Sequence, residues 1–291
     1  KGKWSAGEIE AILRGKMEKA KSGDAEYAGL KIADSDLPGL TAFLGNLSEA
    51  SDEVFRDLIL SASVVDVTAR KKPAPKSRGT VTTLSGNARY AGEQPELRRL
   101  PLDEASRKLY EGKPPFDENI LISESGGLAN VFVYVKNPPV GNHPLPDKPA
   151  IIDQQKSVFR PRVQGIRVGQ DVLMKNGDPF IHNIRSLSRK NSPFNIVQPA
   201  GTPDREKTFE IAEGPITIKC DFHRWMTAHF FVMDHPFFAV TDAKGQFTIP
   251  DLPPGKYQLA AWHEEFGKQE LSVSVKKEGT SKIDFRFQAK N

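Results

Sequence analysis

The chain has 291 residues, 38% of them hydrophobic and 27% charged, enough for a buried core and for about two domains of roughly 150 residues. No apolar run approaches the roughly 18 residues of a membrane-spanning helix. Its 41 basic and 37 acidic side chains are scattered, with no basic stripe of the kind that binds nucleic acid. A single cysteine, Cys220, excludes an internal disulfide, a four-cysteine zinc site and CxxCH attachment of haem. The sequence opens at Lys1 without a signal-peptide pattern, which reads as a processed or trimmed chain.

In chain order, residues 1–66 have the periodicity of a short α-helical module. Ser5 and Glu8 form a capping box ahead of Ile9, Ile12, Leu13 and Met17. A second helix is expected from Ser35 or Asp36 with Pro38 in its first turn, and a third over Asp52–Ala62. Residues 67–78, with Arg70, Lys71, Lys72, Pro73 and Pro75, read as a solvated linker.

From Gly79 the texture changes to short β-type runs. Strands are expected at Thr80–Tyr90, Leu128–Val135, Asp171–Lys175, Ile216–Cys220 and His229–Met233, with a turn at Asn176-Gly177. The stretch 95–117 has no regular pattern. Many short strands without intervening helices predict a β-sandwich over 79–235. A second, smaller sandwich is expected over 236–291, with strands at Phe238–Asp242, Gly245–Ile249, Tyr257–Trp262 and near 269–275 and 282–288. At that size it should need to pack on the first.

The chemistry gathers around the lone cysteine. Cys220, His223 and Met226 stand at Cys-x2-His-x2-Met spacing on a loop leaving a strand, and His182 follows the Asn-Gly turn upstream. One thiolate, two imidazoles and a thioether are the ligand set of a blue-copper electron-transfer site, with the methionine as weak axial donor. Zinc is the competing metal, but a thioether is a poor zinc ligand. Asn183 is a candidate organiser of the ligand loops. Trp225 and Phe222 would plug the site or form a contact surface for a redox partner. His143, His229, His235 and His263 take structural roles first; a second, catalytic copper built from them would make the protein a reductase or oxidase.

Cys220 to Met226, together with His182-Asn183, resembles the cupredoxin family, with amicyanin-like loop spacing and a plastocyanin-like His-Asn step. The stretch from Gly79 to Phe287 is similar to extracytoplasmic bacterial proteins of the methylamine-utilisation type, familiar from planctomycetes. In these a cupredoxin domain runs into a carboxypeptidase-regulatory-like, transthyretin-like sandwich. The matching pieces are Leu128–Val131, Pro193–Asn195, Cys220–Met226, Asp234–Asp242 and Trp262–Glu264. The resemblance implies a mainly β chain: a Greek-key cupredoxin sandwich and a small transthyretin-like sandwich, preceded by the helices. It implies one type 1 copper on His182, Cys220, His223 and Met226, electron transfer without enzymatic activity, and a periplasmic or otherwise extracytoplasmic location. Relatives tend to carry a cysteine where Ser157 stands, a histidine where Arg162 stands, and often a proline where Arg224 stands.

Leu37 to Leu47 resembles the C-terminal helix of small c-type cytochromes, but without CxxCH the chain holds no covalent haem. The expected partner is a c-type cytochrome or other redox protein, docked through the helical module, with the chain a subunit of a larger assembly. Two other readings stand beside this one. The chain could be a structural cell-envelope protein with an empty or incidental metal site, or a copper carrier or sensor.

Overall fold

The computed structural model describes residues 82–289. The expected helical module (1–66) and linker (67–78) lie outside them. The described elements, in chain order, are β1 (Thr83–Tyr90), α1 (Glu104–Lys108), β2 (Phe132–Val135), β3 (Ala150–Gln155), β4 (Val158–Arg160), β5 (Val163–Arg167), β6 (Asp171–Asn176), β7 (His182–Ser186) and β8 (Asn195–Gln198). They continue as β9 (Arg205–Thr208), β10 (Glu213–Lys219), β11 (Thr227–Met233), β12 (Phe238–Val240), β13 (Gln246–Pro250), β14 (Gly255–His263), β15 (Gly267–Val275) and β16 (Thr280–Phe287). The fold is mainly β, and no described helix is long and apolar enough to cross a membrane.

Four sheets form two sandwiches. In one, β4-β3-β6-β9 faces β5-β11-β10-β7-β8, and the alternating apolar positions of these strands meet in a core that includes Ile152, Phe159, Ile184, Ile216, Ile218 and Phe230. In the other, β13-β1-β16 faces β12-β2-β14-β15 around Leu84, Val133, Ile249, Leu259, Phe285 and Phe287.

The strand pairing crosses the expected boundary at 235/236. β1 runs parallel to β16 from Thr83↔Thr280 to Tyr90↔Phe287, and β2 lies between β12 and β14. Local pattern places both in the first sandwich, yet they complete the second. The first sandwich, β3 to β11, is inserted between β2 and β12, which are themselves paired neighbours at Tyr134↔Phe238. The physical reason is burial. Leu84, Val131, Val133 and Val135 are buried in one core with Phe247, Ile249, Leu259, Phe285 and Phe287, all from beyond residue 236.

The sandwiches meet across an aromatic junction. Phe132 stacks on Phe231 with ring centroids 4.0 Å apart, and Trp262 meets Phe231 edge-on at 5.2 Å. Gly165 on β5 permits this approach, since a Cβ there would lie 2.3 Å from the Phe238 ring. Beside the aromatics, Arg162 donates to both oxygens of Glu264 at 2.5 and 2.9 Å and reaches Asp117 at 3.2 Å. His229 joins Glu264 at 3.4 Å. The position where relatives carry a histidine thus ties the two sandwiches together.

Burial raises the Glu264 carboxyl, but the Arg162 and His229 hydrogen bonds outweigh it and hold its pKa at about 2. That lies below the unfolded value of 4.5, so its contribution to stability is present above pH 4.5 and is lost as pH falls toward 2. Glu264→Ala, which leaves the buried Arg162 guanidinium only its Asp117 contact, should lower the unfolding free energy by about 3 kcal/mol. It should also flatten the acid limb of stability between pH 4.5 and 2, measured by urea titration. A fragment of residues 236–291 should show no cooperative melt by circular dichroism. It forfeits Leu84, Val131, Val133 and Val135, each worth about 1.5–3 kcal/mol of burial, against a typical net stability of about 5–15 kcal/mol.

Candidate metal centre

β7 and β10 are antiparallel neighbours, with Ile218↔Ser186 and Lys219↔Arg185 in register. Continuing that register brings the start of β7 against the loop that leaves β10. His182 and Asn183 open β7, and Cys220 follows the last residue of β10. The loop then turns back through a hydrogen bond from Met226 N to His223 O, 2.9 Å long, and enters β11 at Thr227. Donor atoms of His182, Cys220 and His223 lie within 4.8 Å of one another. Among the described residues no other His, Cys, Asp and Glu side chains form such a group. Three of the four residues expected as metal ligands are therefore brought together, all buried. Met226 is fully buried in the same apolar core as Cys220.

Both imidazoles turn the same edge to the sulfur. His182 Nδ1 is 3.8 Å and His223 Nδ1 3.6 Å from Cys220 Sγ, and the two rings are 4.5 Å apart. Each opposite edge meets a carboxylate. His182 Nε2 stands 2.9 Å from Asp178 Oδ2, and His223 Nε2 stands 3.4 Å from Asp103 Oδ2. For His182 this hydrogen bond orients the ring and favours the tautomer that leaves Nδ1 free to face a metal.

Asp178 serves two structures at once. Its carboxylate accepts from the amides of Lys156 and Ser157, both at 2.6 Å. These two residues form the β3–β4 turn with φ of 51° and 57°, left-handed values that cost about 1–2 kcal/mol per non-glycine residue. The charge-assisted bonds offset that cost. Ser157 also donates to Ser106 Oγ at 2.7 Å, and its carbonyl accepts from Trp225 Nε1 at 2.9 Å.

Asn183 links the two ligand-bearing segments. Its Oδ1 accepts from Asp221 N at 2.7 Å and lies 3.3 Å from Cys220 Sγ, while its Nδ2 donates to Asp221 Oδ2 at 3.0 Å. Asp221, further held by Arg185 at 3.2 Å, has its carboxyl lowered chiefly by that guanidinium.

The site's electrostatics favour a thiolate. Burial alone would raise the Cys220 pKa, but hydrogen bonds from His182 and His223, with the backbone of Asn183 and His223, bring it down to about 6. For His182, burial opposes protonation, and the bonds to Asp178 and Cys220 outweigh it and raise the pKa. A buried thiol drawn toward its thiolate beside two imidazoles is a mixed soft and nitrogen donor set for a metal, and the thioether of Met226 is buried in the same core.

The segment expected to be irregular, 95–117, contains α1 and covers the imidazole side. Leu100 and Leu102 pack with Val158 against Tyr110 and Trp225. Asp103, the N-cap of α1, accepts from Ser106 N at 2.8 Å and faces His223. Trp225 meets the His223 ring edge-on at 5.3 Å and acts as a plug, whereas Phe222 stays half-exposed. Sequence reasoning did not single out Asp178 or Asp103. The Asn176-Gly177-Asp178 turn pointed to the first, and the capping position before α1 to the second.

The remaining histidines stand outside the cluster. His263 is fully buried against Phe266, 4.8 Å away, and burial lowers its pKa to about 4. His235 accepts from Phe237 N at 3.1 Å, and His143 meets Phe237 edge-on.

Comparison with known proteins adds the following. Residues 234–288 match the family model described as Carboxypeptidase regulatory-like domain, so the C-terminal sandwich is of this transthyretin-like type. That match does not extend to β1 and β2, which complete the sandwich. No curated protein sequence matches the chain. Among solved structures, the chain is similar to a Cu-containing nitrite reductase from Thermus scotoductus SA-01, at 24% identity and a TM-score of 0.28. That match covers 33% of this chain and spans only 25% of the reductase. The chain is also similar to a purple cupredoxin from Nitrosopumilus maritimus, at 27% identity and a TM-score of 0.25, over 29% of this chain and 99% of that one. An oxidized mutant form of amicyanin matches at 17% identity and a TM-score of 0.27, over 35% of this chain and 98% of that one. The similarity to cupredoxins is weak and partial.

Asp178→Ala should weaken Cu(I) binding about 10- to 100-fold, measured by competition with a chromogenic chelator, because it releases both the His182 ring and the β3–β4 turn.

Proposed function

We propose that the chain is a type 1 copper protein that passes single electrons between extracytoplasmic redox carriers. The single observation that carries this reading is the arrangement of His182 and His223. Both present Nδ1 to the one buried thiol, with the Asp178 carboxylate bonded to His182 Nε2 and the Asp103 carboxylate 3.4 Å from His223 Nε2. Two imidazole nitrogens and a thiol poised to ionise are what a copper–thiolate centre requires. In this reading His182, Cys220 and His223 hold the metal, with Met226 as the weak fourth donor from the core. Bound there, copper would supply a couple between Cu(I) and Cu(II).

The chain's own residues do the rest. Asn183 clamps Asp221 and so fixes the backbone on either side of Cys220. Trp225 and Phe180 exclude water from the imidazoles. The rigid sandwich keeps the donors where they are whichever oxidation state is present, which lowers the cost of reorganisation. No step in this function makes or breaks a covalent bond, so the chain is read as an electron carrier and not an enzyme. Its natural partner would be a c-type cytochrome or another one-electron protein.

The Cu(II)-loaded protein should show an intense visible thiolate-to-copper band and reversible one-electron reduction. Cys220→Ser should abolish the band while shifting the melting temperature by only a few degrees. A protein that binds copper without this band would be a carrier of the metal.

A further inference from the structure

The centre is buried throughout, with Cys220 only 2% exposed, but what covers it differs from side to side. Toward the imidazoles it is sealed by Trp225, Phe180 and the α1 segment, with Asp103 against His223 Nε2 and His223 itself 5% exposed. On the sulfur side, Cys220 lines a surface groove of about 360 Å³ together with Arg185, Leu187, Lys219, Asp221 and Arg224. This groove shares Arg185 and Leu187 with a second of about 460 Å³, which shares Pro193 and Phe194 with a third of about 230 Å³. The three form one furrow leading away from Cys220.

Its charge is one-sided. Arg185, Lys190, Lys207, Lys219 and Arg224 line it, against Asp221, Glu210 and Glu213, the last bonded to the lining residues Ser188, Lys190 and Asn191. Arg185 and Asp221 pair with each other at 3.2 Å. Among the described residues no carboxylate pairs with the other four cations. The floor is apolar, with Leu187 44% exposed and Lys207 held 5.9 Å over the Phe194 ring. The chain as a whole carries only +4, so this is a local concentration of charge rather than a share of a basic surface.

We propose that this furrow is the docking surface for the redox partner, and that the partner is a protein presenting carboxylates around a small apolar contact. The proposal rests on the copper reading above and adds where the electron crosses and what meets it. Complementary charge steers the encounter and the apolar floor seats it. In the transfer, the reduced member of the pair loses one electron and the oxidised member gains it; no bond changes and no proton moves.

Two measurements on the full chain test this. The first needs no copper: the apo-protein is titrated with hexacyanochromate(III), a substitution-inert paramagnetic trianion, and amide line broadening is mapped by NMR. Broadening confined to the neighbourhood of Leu187, Phe194 and Arg224 supports the surface, and broadening elsewhere or spread evenly overturns it. The second follows oxidation of the Cu(I)-loaded protein by hexacyanoferrate(III) and by the cation tris(phenanthroline)cobalt(III). Arg224→Glu should slow the anionic oxidant about tenfold at low salt and not slow the cationic one, with the difference vanishing at high salt. Lys282→Glu, on the other sandwich, should change neither rate. Equal rates for Arg224→Glu and the unsubstituted protein, with the visible band intact, overturn the proposal. So does a random-sequence oligonucleotide that competes for the furrow as well as a poly-glutamate peptide does. A loaded protein with no visible band fails the copper reading instead, and the apo-protein map still judges the surface.

Discussion

The candidate metal centre hangs on the carboxylate of Asp178. It binds two amides of a left-handed turn on one sheet and the Nε2 edge of a histidine on the other, so it fixes the separation of the two sheets at the mouth of the sandwich. Every other feature of the site follows from that anchor. With His182 held, Asn183 is positioned to clamp Asp221, and the clamp sets the backbone beside Cys220. The same turn puts the Ser157 carbonyl under Trp225, which closes over His223. A carboxylate buried this deeply would be costly alone; it is tolerated because each of its oxygens has a donor.

How much of this could be read from the sequence depended on the range of the interaction concerned. The ligand loop was legible because Cys220, His223 and Met226 are local in sequence, and their spacing constrains them before any folding. The strands of the C-terminal sandwich were legible from alternation, as in Gln246–Pro250, where Phe247 and Ile249 point inward. β9 was not, because Arg205–Thr208 is exposed at every position and has no apolar period to detect. Nor was β3, whose Asp153-Gln154-Gln155 half is polar although Gln154 is buried and bonded to Gln198. The assignment of β1 and β2 to sheets failed for a different reason. A parallel partner nearly 200 residues away leaves no trace in local pattern, and only the placement of Leu84 and Val133 in a shared core reveals it.

Three residues at which the expected pattern carries other side chains have a physical role here. The Ser157 hydroxyl ties α1's segment to the turn beside the site. Arg162 bridges Asp117 and Glu264 across the junction. Arg224 lines the groove on the sulfur side. Ser157 and Arg162 bring cohesion between parts of the molecule, and Arg224 adds a charge at the surface.

The insertion of one sandwich into the other has a mechanical meaning. Domains strung on a single linker can swing, and the distance between their sites then fluctuates. Here the inserted sandwich departs from β2 and returns to β12, two strands bonded side by side, with the Phe132–Phe231 stack and the Arg162–Glu264 bridge spanning the seam. Rotation about that seam would have to pull paired strands apart. The C-terminal sandwich is therefore a rigid handle. Anything that grips it holds the metal centre at one distance and one angle, so the spacing is written into the strand order rather than left to diffusion.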